Sequence, residues 1–162
     1  MRNVISIADG KPEVTEDDWV LVASFAEAEA LEDDARPVLP LALLKNTVRE
    51  NTVELAAKGM FGILLEPGDD PADALPLFGS LGLIAVHFPQ AVDGRGYSTA
   101  ALLRTRHGWK GDLRAVGDVL RDQLFYLRRV GFTSFAIRED RSAEHAIASL
   151  ADFSGAYQTS VA

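Results

Sequence analysis

Short apolar runs alternate with helical stretches that are each closed by a glycine, and this alternation restricts the chain to βα units. Gly59-Met60-Phe61, Gly108-Trp109 and Gly131-Phe132 share one pattern. The glycine supplies the left-handed backbone of a helix C-cap, and the large apolar residue after it packs back on the last turn. Strands are expected at residues 61–65, 83–87, 113–116 and 133–137. Helices are expected after Asp70-Pro71 (an N-cap followed by an N1 proline), from Ser98 to His107, over 119–130 behind Asp118, and over 143–150. Ser98 and Asp118 are read as the N-caps of their helices. Leu120, Leu124 and Leu127 repeat at helical spacing and mark a buried face, as do Ala146, Ile147 and Leu150. Strands joined by helices form a parallel sheet with right-handed crossovers. The fold class is therefore α/β, a sheet that is open or curled like part of a barrel.

The first 37 residues read differently. Residues 3–7 and 19–22 form the strands of an N-terminal β-hairpin around the turn-rich Asp9-Gly10-Lys11-Pro12, and residues 25–36 form an acidic loop or a short exposed helix. The division is then 1–37 hairpin and acidic loop, 38–158 α/β domain, 159–162 tail. Leu41, Leu44, Val48 and Leu55 would share the face of a single helix ended by Gly59.

Composition narrows the chemistry. The chain has 162 residues and no cysteine, which excludes disulfides, thiolate metal sites, Cys-ligated clusters and thiol redox relays. No apolar run reaches the length of a membrane span, and the N-terminal segment lacks a signal-peptide pattern, so the expectation is a cytoplasmic protein with no membrane partner. The formal charge is −8, yet residues 95–129 carry 8 basic side chains against 3 acidic ones. An acidic chain with one basic stretch does not suit nucleic acid, which needs a broad positive surface. A local anion site, a docking face, or a merely solvated basic helix all fit.

In parallel α/β folds ligands gather on the loops after the strands. Four such loops are legible, at 66–70, 88–97, 117–118 and 138–141. In the second, Asp93-Gly94-Arg95-Gly96-Tyr97-Ser98 sets two glycines around an arginine ahead of a helix. Backbone N–H groups there and the Arg95 guanidinium suit a carboxylate, phosphate or sulfur oxyanion. A tight turn with Arg95 paired to Asp93 is the structural reading of the same residues. The third loop adds Asp118, with Arg121, Asp122 and Gln123 just behind it, and Arg114 stands inside a strand where a charge needs a partner. A candidate anion site is thus Asp93, Gly94, Arg95, Gly96, Ser98, Arg114, Asp118, Arg121 and Gln123. The alternative is a cap and a buried Arg–Asp network. His87 ends a strand and could serve as an acid or base, although a lone histidine more often packs. The three histidines have no metal-ligand spacing. There is no nucleophile elbow, dinucleotide fingerprint or Walker motif, so the catalytic residues and the cofactor are unknown.

The string from Asp93 to Phe132, DGRGYSTAALLRTRHGWKGDLRAVGDVLRDQLFYLRRVGF, resembles a bacterial family of unknown function, domain family 934. The likeness rests on Asp93 to Ser98, Leu103-Arg104, Gly111 and Leu113 to Leu124, with Phe88-Pro89 and Phe153 to Tyr157-Gln158 at its borders. It covers about residues 38–158. The family often has cysteine before the Gly-Phe pair, where this chain has Val130, and a more aromatic and basic segment than Gln90-Ala91-Val92. Members of the family are commonly labelled oxidoreductases involved in sulfite reduction, because they accompany assimilatory sulfite reductase. The resemblance implies an accessory protein or oxidoreductase of that pathway, with sulfite reductase as a partner. The alternative is a non-enzymatic module that docks on sulfite reductase or another protein through the helix bearing Phe125, Tyr126, Arg128 and Arg129. A homodimer is compatible with either.

Overall fold

A computed structural model describes residues 1–46, 49–57 and 60–152. Strands β1 (Val4–Ala8) and β2 (Lys11–Thr15) form a hairpin. Next come β3 (Trp19–Leu21), α1 (Phe25–Glu29), β4 (Arg36–Pro40), α2 (Leu41–Lys45) and α3 (Arg49–Ala57). Strand β5 (Phe61–Leu65) leads through a 3-10 segment (Pro71–Ser80) to β6 (Leu81–Phe88) and α4 (Arg95–Thr105). The chain then runs through β7 (Asp112–Gly117), a 3-10 turn (Arg121–Gln123), α5 (Leu124–Arg129), β8 (Ser134–Ala136) and α6 (Ala143–Asp152). One eight-stranded sheet results, in the order β2-β1-β8-β7-β6-β5-β4-β3. Strands β3 to β8 are all parallel, each beside its sequence neighbour, while β1 is antiparallel to both β2 and β8.

The central strands are buried on both faces, which is why they read as continuous apolar runs. Along β6, Ile84 and Val86 join a core shared with Leu103 of α4, Leu124 and Leu127 of α5 and Ala146 and Leu150 of α6. Leu83 and Ala85, pointing the other way, pack with Trp19, Val38 and Val116. These helices therefore cover one face, and the sheet curls around the other as a half-barrel.

Arg114 makes the curl visible. It lies on β7, only 2% exposed, and its guanidinium reaches Asp17 Oδ2 at 2.6 Å, just before β3. Four strand intervals separate β7 from β3, roughly 19 Å if the sheet were flat, so the two meet only because the sheet bends toward closure. Arg114 also donates to Ser134 Oγ (2.8 Å) and Asp112 Oδ2 (3.3 Å), and lies 3.4 Å from the Met1 sulfur. The amino group of Met1 in turn donates to the Asp17 and Trp19 carbonyls and to Asp17 Oδ1. All of these groups sit at the amino ends of the parallel strands.

Several expectations change. The hairpin partner of β1 is Lys11–Thr15, not residues 19–22, because Asp9 (φ 50°) and Gly10 (φ 78°) make a two-residue turn that pairs adjacent segments. Pro12 is tolerated because β2 is an edge strand. Trp19–Leu21 instead starts the parallel series. Strand β4 was not expected, since Pro37 and Pro40 argue against a strand interior, yet it pairs on both sides. What was read as one helix is α2 and α3, and Val48 and Gly59 lie outside the described residues. Strands β6, β7 and β8 are parallel neighbours as expected, and Gly108 (φ 72°) and Gly131 (φ 117°) have the left-handed backbone of the C-caps. Among the described residues no helix is long and apolar enough to cross a membrane.

Replacing Arg114 by Met keeps much of its volume but leaves Asp112 without its cation and Asp17 with the Met1 amino group alone. The cost should be about 3–5 kcal/mol in urea denaturation. Stability should also depend on acid through Asp17. Burial pushes its carboxyl up, but the hydrogen bond and charge of Arg114, with the amino terminus, outweigh this and hold it below 3.8. A carboxyl depressed by folding adds stability above its unfolded value and loses it as pH falls through the folded one. Wild type should therefore weaken below about pH 4, and Asp17→Asn, less stable at pH 7, should lose that part of the acid dependence.

Candidate functional site

The loops after β6, β7 and β8 meet at the carboxyl end of the half-barrel. The Asp118 N–H donates to the Phe88 carbonyl at 2.7 Å, and its Oδ2 accepts the Ala91 N–H at 2.9 Å. Its Oδ1 accepts from the Arg138 guanidinium at 2.7 Å, and Arg138 also makes a two-armed pair with Asp140. Arg138 first, then the Ala91 amide, hold the Asp118 carboxyl below its ordinary value. Gln123 adds a bond from its side-chain amide to the Ala91 carbonyl. Asp118 thus joins three loops and is not the cap of a long helix. The chain passes it in an extended stretch, and the 3-10 turn begins only after Leu120.

The Asp93–Ser98 stretch forms a tight turn. Arg95 donates its backbone N–H, Nε and one terminal nitrogen to Asp93, at 3.1, 3.0 and 2.6 Å. This pairing lowers the Asp93 carboxyl to about 2. Helix α4 starts at Arg95, so Ser98 lies in its first turn, exposed, and does not cap it. Gly94 has helical φ and open space around it. Gly96 is buried, and a Cβ there would lie 2.4 Å from the Phe88 ring. Its lack of a side chain lets α4 close on β6, which accounts for the glycine without any ligand.

The nine candidate residues therefore separate into groups. Arg114 belongs to the amino-end network, away from the loops. Asp93 and Arg95 pair with each other, while Asp118 and Gln123 knit the rim. Arg121 lies 3.4 Å from Asp122 and lines a cleft of about 390 Å³ with Leu120, Ile137, Arg141, Ser142 and His145. Helix α6 begins at this cleft, with the Ser142 hydroxyl accepting the His145 N–H at 3.3 Å. The 138–141 loop lies on the rim as expected, but Arg141, Ser142 and His145 were not among the expected site residues. The available signal was a serine preceding a helix directly after a strand, with arginines at both ends of the loop.

The geometry is that of a singly wound βα half-barrel whose loops converge at the carboxyl ends of its strands. The chain belongs to the DUF934 family, bacterial proteins of unknown function, which it matches over residues 62–162. The match starts at Gly62, the second residue of β5, so the rest of β5 and everything to α6 fall inside it and β1 to β4 precede it. The family-like positions Phe153, Tyr157 and Gln158 lie outside the described residues. No curated protein matches the chain.

The Gly96–Phe88 contact is open to test. Gly96→Ala should destabilise by about 1–3 kcal/mol, the usual range for overpacking. Adding Phe88→Leu should recover most of that loss in the same melting experiment. A Gly96→Ala protein as stable as wild type would reopen a ligand-related role for this glycine.

Proposed function

We propose that the protein is an accessory component of assimilatory sulfite reduction that binds a small oxyanion on its βα loops. One observation supports this above the others: the cleft between the Arg121–Gln123 turn and α6 gathers Arg121, Arg141 and His145 against one carboxylate, Asp122. In a chain of net charge −8, two guanidiniums lining one cleft are a local concentration of positive charge, with Glu144 bonded to Ser142 at its edge. Two guanidiniums and the start of a helix offer charge-assisted hydrogen bonds to a tetrahedral or pyramidal oxyanion. Within the sequence-derived set, the proposal now centres on Arg121, with Asp118 and Gln123 holding the loop that carries it. The link to sulfite comes from the pathway label of the family that the sequence resembles, and so does the oxidoreductase reading. Without cysteine, this chain has no thiol with which to relay electrons or hold a Cys-ligated cluster.

Docking on sulfite reductase is the second reading, favoured by Tyr126, an aromatic side chain 58% exposed on α5 next to Phe125 and Arg129. One set of measurements separates the two. Calorimetric titration with sulfite at low ionic strength should give saturable binding that weakens with salt. Arg121→Ala/Arg141→Ala should weaken it at least tenfold, about 1.4 kcal/mol, while the melting temperature stays within a few degrees. Absence of sulfite binding, together with capture of sulfite reductase that Tyr126→Ala abolishes, would replace the anion reading with the docking one.

A further inference from the structure

His87 is a conspicuous polar side chain of the concave face that the anion cleft leaves unused. It is the penultimate residue of β6, and Glu66 directly follows β5. The β5–β6 register pairs Leu65 with Val86, which sets Glu66 beside His87 at the carboxyl mouth of the half-barrel. Their flanking residues Leu65, Val86 and Phe88 turn toward the helices, so alternation directs Glu66 and His87 to the concave side. His87 Nδ1 and Glu66 Oε2 are 2.7 Å apart.

We propose that His87 and Glu66 form a proton-accepting site that takes an uncharged ligand carrying an acidic O–H or N–H group. A carboxylate can only accept, so in the neutral ring the proton sits on Nδ1 and Nε2 keeps its lone pair. Among the described residues no side chain or backbone group hydrogen-bonds Nε2. That edge of the ring lies over Gly117, an exposed residue with φ 95°. A Cβ at Gly117 would stand 2.7 Å from His87 Cδ2 and 3.0 Å from Nε2, so its absence leaves the nitrogen approachable. Leu64, Ala85 and Val116 pack in the apolar cluster on the same concave side and form a dry floor under the pair.

Charge selects the ligand. When a bound X–H group gives its proton to Nε2, the X–H electron pair stays on X and the ring becomes an imidazolium, already balanced by Glu66. An incoming anion would instead meet the Glu66 carboxylate across the ring, with Asp69 close behind, bonded to the Glu66 N–H at 2.8 Å. An uncharged donor meets no such repulsion. A pair that merely ties β5 to β6 would affect stability and nothing else.

The test uses the full chain and two probes of similar size, acetohydroxamic acid (uncharged at neutral pH, with a donor O–H) and acetate. Long-range ¹⁵N correlation spectra should show His87 protonated at Nδ1 and bare at Nε2, and Glu66→Ala should lose that preference. Acetohydroxamic acid should shift the His87 ring signals saturably in wild type and at least tenfold more weakly in Glu66→Ala, whereas acetate should leave them in place. Melting curves confirm that the variant is folded, and the wild-type tautomer needs no variant at all. A proton on Nε2 in the neutral ring, no response to acetohydroxamic acid, an equal response to acetate, or an equal response in Glu66→Ala would each overturn the proposal.

Discussion

The bond from Arg114 to Asp17 ties β7 to the residue ahead of β3 and holds the sheet in its curl. A curled sheet has two unlike faces. The convex one takes the helices, and the concave one must be filled from a small set of inward residues. Near the amino ends Arg114, Ser134, Asp112 and Asp17 satisfy one another there, and Trp19 lies over Gly82, where a Cβ would come within 2.9 Å of the indole. Arg36 stacks on the outer side of that ring, 3.9 Å from its centroid, while pairing with Asp18. Polar and aromatic side chains thereby fill the concave face near its amino end. An arginine this buried is tolerable only because every arm meets an acceptor or a soft sulfur.

The proposed ligand chemistry lies at the other end. There the loops are not independent, because Asp118 bonds to the loops after β6 and β8 at once. Its carboxylate stiffens the platform from which Arg121 and Arg141 project. The Asp93–Arg95 pair serves the neighbouring loop in a similar way, closing a turn so that α4 can start early and set Gly96 on Phe88. Most acidic side chains of these loops are therefore matched to a specific arginine. Arg121, paired with Asp122, and Arg141 both stand at the entrance to α6.

What the sequence disclosed was what depends on near neighbours. Asp70 capping Ala72 ahead of Pro71, the left-handed Gly108 and Gly131, and the apolar runs of β6 and β7 are decided within a few residues, and all were legible. Strand β4 was not, because Pro37 and Pro40 oppose it locally and only pairing with β3 and β5 overrides them. Ser98 looked like a cap because it precedes an apolar helix, but the Arg95–Asp93 pair moves the helix start upstream. Arg114 was recognised as needing a partner, and Asp118 was read as a helix cap or as part of a buried Arg–Asp network. The partners, Arg138 and Asp17, lie 20 and 97 positions away, and no local pattern points to them. The anion site suffered from the same blindness: a parallel sheet does bring its loops to one rim, but a strand residue such as Arg114 can point to either end.

The two features left at the carboxyl end have opposite electrostatic character, and this follows from their strands. Glu66 and His87 stand on β5 and β6 above the concave floor, next to the carboxylates of the 66–70 loop, so positive charge there is already answered. Arg121 and Arg141 stand beyond β7 and β8, on the helix side, where α6 contributes its N-terminal amides and Asp122 and Glu144 are the nearby carboxylates. Removing a charge at one should leave the other unaltered beyond a Debye length of about 10 Å at ordinary salt. Together, the two proposed sites place an uncharged group on the concave side of the rim and an anion on its helix side. A single ligand spanning both would have to carry its negative charge at one end and its acidic proton at the other.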